Sequence, residues 1–199
     1  MKDKGSIQSF PTSDSPVNEA FEGIVKIYYQ IKGYITSTGK WFWKYETNKK
    51  QRGYQDIDLL AINNKQTVIV SVSTNLDDKI NFQRNGKFNK QKYQKLKDFF
   101  DRVVGYLEST SDYKWLVQEN RKIKKIIAIV SSPSKSHLKK ISQILQSDNI
   151  EVIDMNKMVE EIIEYLDENE NLKIQDQTLR LLQILNNQKL IKKATNFFP

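Results

Sequence analysis

The chain is 199 residues long, 38% hydrophobic and 28% charged, and its 32 Lys and Arg against 24 Asp and Glu give a net charge of +8. That length and balance suit one globular domain with a sizeable core, and no apolar run approaches the ~20 residues that a membrane-spanning helix needs. With no cysteine and a single histidine, His137, disulfides, thiol nucleophiles, cysteine-zinc sites and any site needing two histidines from one chain are excluded.

Residues 1–16, rich in Ser and carrying Pro11 and Pro16, are expected to form a disordered tail. They hold no apolar signal-peptide core, so a cytoplasmic location is expected. From Pro16 the pattern turns helical, with Phe21, Ile24, Val25, Ile27, Tyr28 and Ile31 at helical spacing and Gly33 as the stop. Glu19 and Glu22 lie off the centre of that stripe, where they either complement the helix dipole or face a neighbouring sheet.

Tyr34 to Tyr45, YITSTGKWFWKY, reads as a strand with a break at Thr38-Gly39. Alternation sends Trp41 and Trp43 to one face and Phe42 to the other. A core on both sides is the first expectation, and an aromatic platform for a base or a partner chain is the alternative. Lys44, Lys49, Lys50 and Arg52 follow in a basic loop.

Gln55 to Thr74, QDIDLLAINNKQTVIVSVST, holds two apolar runs around the turn-tolerant Asn63, Asn64, Lys65 and Gln66, the signature of an antiparallel hairpin. Alternation places Asp56 and Asp58 on one face of the first strand, and Ser71 and Ser73 on one face of the second.

The polar segment after Thr74 is expected to be a loop or short insert. A helix follows from about Asn89 to Leu107, with Tyr93, Leu96, Phe99, Phe100, Val103, Val104 and Leu107 as its buried stripe. Arg84, Lys87, Lys90, Lys92, Lys95 and Lys97 concentrate positive charge before and within its first turns, which suits either phosphate contact or a solvated face. Ser109 to Glu119 reads as a linker anchored by Trp115 and Leu116. Ile123 to Val130 and Ile150 to Met155 are expected strands, joined by a helix from Pro133 and Ser134 to Gln146 that carries His137 on its surface. Met155 to Asp167 and Gln175 to about Lys193 complete the chain as amphipathic helices, core-packed or, as a second reading, a dimer interface. No glycine-rich phosphate loop is present, which argues against nucleotide hydrolysis.

Asp58, a short apolar strand, a turn, and a second strand ending V-x-V-x-T resemble the core of the PD-(D/E)xK nuclease superfamily, which includes restriction endonucleases and archaeal Holliday-junction resolvases. The resemblance implies an α/β fold with a central mixed sheet flanked by helices over residues 17–155. Residues 156–199 would be helices packed on that same domain. It also implies an active site of Glu22 (or Glu19), Asp58 and the positions of Ser71 and Ser73, where the family carries Glu and Lys. Those two serines remove a metal-binding carboxylate and the lysine that positions the attacking water.

A catalytically inactive nuclease fold is therefore the first expectation. It would need no cofactor, and it would bind DNA through Lys44, Lys49, Lys50, Arg52, Arg84, Lys87, Lys90, Lys92 and Lys95, or pair with itself or with a nuclease subunit. The alternative is an active Mg²⁺- or Mn²⁺-dependent nuclease with Glu22 and Asp58 as ligands, Asp56 supplementing them, in which Lys92 or Lys95 replaces the missing lysine. A protein-interaction module without DNA binding is the third reading. No membrane partner is expected.

Overall fold

Apolar periodicity decides which side of the sheet each helix covers. The computed structural model describes residues 16–45, 51–82, 87–118, 120–131, 134–169, 176–189 and 191, with backbone alone at 16–19, 43–45, 51–52, 131 and 135. Helix α1 (Pro16–Ile31) leads into strands β1 (Ile35–Tyr45), β2 (Gln51–Ile62) and β3 (Gln66–Asn75). A one-turn helix α2 (Leu76–Lys79) and the long α3 (Lys90–Ser109) follow. Next come β4 (Lys122–Ser131), α4 (Lys135–Gln146), β5 (Ile150–Asp154), α5 (Met155–Glu168) and α6 (Gln177–Asn187).

The five strands form one mixed sheet in the order β1-β2-β3-β4-β5, antiparallel from β1 to β3 and parallel from β3 to β5. Alternation along β3 sends Val68, Val70 and Val72 into one core with α1 and α5, while Ile69 joins Ile127 and Ile129 in a second core under α3 and α4. This is the α/β architecture that the sequence predicts, a mixed sheet flanked by helices. Both C-terminal helices join the first core, through Met158, Ile162, Ile163 and Leu166 of α5 and the partly buried Leu179 and Leu182 of α6. No helix among the described residues is long and apolar enough to cross a membrane.

Four expectations need correction. The segment after Thr74 is not only loop, because Asn75 caps α2 by accepting the Asp77 amide. Trp115 is half exposed, and Leu116 is the buried anchor of its turn, with Tyr113 and Val117 packed against the same core. Trp115 lies outside the core because its indole N–H donates to the Asp112 carbonyl and the Arg121 guanidinium lies over its ring. His137 is half-buried, edge-on to the Phe82 ring and with Nε2 3.6 Å from Asp77 Oδ1.

The fourth correction concerns Trp41. Phe42 is buried and stacks on Tyr106 of α3, but Trp41 on the other face is 54% exposed. The cause is where strand pairing stops. β2 pairs with β1 back to Gln51 but with β3 only from Leu59 to Ile62, although β3 runs on to Asn75, so the outer half of the β1–β2 hairpin is not paired to the third strand. An arm of two strands has fewer neighbours to cover its faces. The expected tail at 1–15 lies outside the described residues.

Phe100 sits at the centre of the second core with no exposed surface. Phe100→Ala is expected to lower stability by about 3–5 kcal/mol through lost burial and the cavity left behind. A urea titration with unchanged m-value and a reduced midpoint would register it.

Candidate nucleic-acid interface at the strand fork

The site begins where β2 leaves β3. The last paired residues are Leu59 and Val70, so the next amide on β3 that would face β2 has lost its ladder partner. Asp58 supplies a substitute: its Oδ2 accepts the Val72 N–H at 2.5 Å. A carboxylate acceptor makes this a charge-assisted bond, stronger than the ladder bond it replaces. Across the fork on β1, Gly39 lies between the paired positions Thr38↔Leu59 and Lys40↔Ile57 with φ +62°, a left-handed conformation that side chains disfavour. Strict alternation fails at this point, because Ile57 packs in the second core and Leu59, two residues on, in the first.

The fork opens into a cleft of about 240 Å³. Asp56, Asp58 and Ser71 line it from the strands, Asp78 and Lys79 from α2, and Lys92, Lys95, Leu96 and Phe99 from α3. Asn89 caps α3 by accepting the Lys92 amide, and its own backbone and side chain bond Asn81. Lys92 Nζ donates to the Asp77 carbonyl at 2.5 Å, which ties α3 to α2 beside the cleft. Ser71 and Ser73 are both buried on the face toward α3, as alternation predicts; Ser73 donates to the Asn75 carbonyl and only Ser71 reaches the cleft.

The structure thus brings Asp58, Ser71, Lys92 and Lys95 together, and adds Asp78 and Lys79, which sequence reading missed. The signal for that pair was present, since Asn75 followed by Asp77 and Asp78 has the pattern of a helix start. Glu22 is half-buried on α1, which packs in the core on the opposite face of the sheet, and it does not line the cleft. The Glu19, Lys44 and Arg52 side chains, and the whole of Lys49, Lys50 and Arg84, lie outside the described residues. Lys87 and Lys90 are exposed before and at the start of α3.

Lys97 leaves the basic cluster. It pairs with Asp148 at 2.7 Å, and the same carboxylate accepts the Tyr93 hydroxyl. Burial pushes the Asp148 carboxyl up, but its bonds from Lys97 and Tyr93 outweigh that effect and hold it below its ordinary value. This charge therefore joins α3 to the end of α4 instead of standing free for an anion.

Asp58 and Ser71, the strand residues of the fork, offer a divalent ion few free anionic donors, with Asp56 and Asp78 the other carboxylates that line the opening. Asp58 has one oxygen committed to Val72, and Ser71 offers a neutral hydroxyl where Mg²⁺ favours anionic oxygen. Among the described residues no three His, Asp or Glu side chains converge closely enough to hold a metal.

No protein-family model matches the chain, and no curated protein matches it. Among solved structures it is similar to the crystal structure of a protein of unknown function, AF1548, with 12% identity and a TM-score of 0.36 over 86% of this chain and 97% of that one.

Two predictions follow from the geometry. Asp58→Ala, which strands the Val72 amide, is expected to cost about 1–3 kcal/mol in urea denaturation, and Asp58→Asn, which keeps an acceptor, clearly less. Equal stability of all three proteins would show that this bond does not hold the fork.

A carboxyl with a depressed folded pKa contributes stability that is full above its unfolded value, about 3.9, and is lost as pH falls through the folded value. The advantage of the wild type over Asp148→Asn should therefore be constant above about pH 5 and shrink on further acidification. Thermal melts across that range would measure it.

Proposed function

We propose that the protein is a nucleic-acid-binding member of the nuclease-like α/β class whose fork no longer supports metal-dependent cleavage. The observation that carries this reading is the composition of the cleft: the carboxylate at Asp58 is retained, a neutral hydroxyl stands at Ser71, and Lys79, Lys92 and Lys95 line the same opening. Lysines at a concave site attract phosphate by releasing condensed counterions, without any need for base recognition. Lys87 and Lys90 extend the basic strip along the approach to α3, and the net charge of +8 favours an anionic partner at longer range. Pairing with a nuclease subunit is compatible with the same surface, since an inactive fold can position DNA for a partner.

One observation favours a second reading. Lys92 and Lys95 share the cleft with Asp58, which is what an active enzyme with a displaced lysine requires. The two readings separate in one experiment, in which linear, single-stranded and four-way-junction DNA are incubated with Mg²⁺ or Mn²⁺ and resolved on native and denaturing gels. The expected result is shifted, intact DNA. Lys92→Ala with Lys95→Ala should weaken binding at every sequence and reduce the slope of log affinity against log salt by roughly two for duplex. Cleavage abolished by Asp58→Ala would establish the active enzyme instead. Absence of any shift would leave a protein-interaction role.

A further inference from the structure

A second concavity lies at the β5 border of the sheet. β4 is paired with β3 from Lys122 onward but with β5 only from Lys125, so its first three residues have no strand neighbour on that side among the described residues. Beside this step is a groove of about 740 Å³, lined by Lys122 to Lys124, by Asn149 to Val152, and by the α4 side chains Lys139, Ser142, Gln143 and Gln146.

Its charge differs from that of the fork. There three lysines face three aspartates; here Lys122, Lys124 and Lys139 face Glu151 alone. Glu151 is matched by Lys124 at 3.6 Å, which leaves the exposed Lys122 and Lys139 side chains without a carboxylate partner among the described residues. Ser142, Gln143, Gln146 and Asn149 likewise keep side-chain donors that no described residue uses. The carbonyls at the end of α4 would repel an anion, but those of Leu145 and Gln146 accept the Asp148 and Asn149 amides.

From this unbalanced charge we infer that the groove is a second phosphate-contact surface, one that holds the backbone of a nucleic acid without reading its bases. The inference rests on the nucleic-acid reading above and adds a surface to it. Lysines release counterions from a phosphate backbone, and amide and hydroxyl side chains reach phosphate and sugar oxygens. An acidic peptide is the poorer match. A peptide that extends a sheet needs open backbone along the edge strand, and Ile150 at the head of β5 is only 3% exposed.

Fluorescence anisotropy with a labelled blunt duplex, titrated over a range of KCl concentrations, tests this. Lys122→Ala with Lys139→Ala removes the groove cations, and Lys92→Ala with Lys95→Ala those of the fork. Lys114→Ala with Lys157→Ala, exposed lysines that line neither opening, controls for net charge. The groove and control pairs break no tertiary contact and should melt as the wild type does. The groove pair should reduce the slope of log affinity against log salt by roughly two, equally for unrelated sequences, and its effect should add to that of the fork pair. The control pair should leave the slope in place.

An unchanged slope in the groove pair with a reduced slope in the fork pair refutes the groove and leaves the nucleic-acid reading standing. A reduced slope in the groove pair alone keeps the groove and removes the fork. If the control pair lowers the slope as much as the groove pair does, the effect is one of net charge and the groove is refuted. Failure of the wild type to bind duplex overturns both proposals, and poly-glutamate held by the wild type but not by the groove pair would then assign the groove to an acidic polypeptide.

Discussion

The local structure around the cleft depends on one hydrogen bond, from the Val72 amide to the Asp58 carboxylate. A strand that leaves a sheet exposes backbone donors which, once buried, must find acceptors or cost free energy comparable to a lost hydrogen bond. Val72 is buried, so β2 can turn away from β3 only if something replaces the ladder. An aspartate has the reach to do so from a neighbouring strand. The separation it permits has two consequences: the space between the strands becomes the cleft, and the remainder of β2, paired with β1 alone, becomes the two-stranded arm.

Much of this was readable from residue order. The two strands expected within Gln55 to Thr74 form and pair as a hairpin from Leu59 to Val70, and the turn is closed by Asn63, whose side chain accepts the amides of Lys65 and Gln66. The shared face of Ser71 and Ser73 followed from period-two alternation, which holds along a strand buried on both sides. The exposure of Trp41 did not follow. Its strand pattern is the same whether or not a third strand lies alongside, and only the pairing limits of β2 and β3 decide that.

Other features were hidden for related reasons. A four-residue helix such as α2 is too short to display a 3.6-residue period, so Asp78 and Lys79 gave no periodic sign of reaching the cleft. The basic cluster was legible as a count of charges but not as their disposition. Lys97 meets Asp148 across a tertiary contact that local sequence does not encode, and Lys92 is held by a backbone carbonyl. Glu22 illustrates the converse. Its place on a helix was clear, but the face of the sheet on which α1 lies sets its neighbours, and that is a property of the whole packing.

The charge balance of the cleft gives the fork its chemical character. Three carboxylates, Asp56, Asp58 and Asp78, share it with three ammonium groups, Lys79, Lys92 and Lys95, so the opening itself is close to neutral. It suits a ligand that brings both a negative group and hydrogen-bond donors. On the reading proposed above, the serine at the fork also has an electrostatic consequence. Without a further buried carboxylate and the metal that would neutralise it, Ser71 lowers the negative charge that any nucleic acid entering the cleft must overcome.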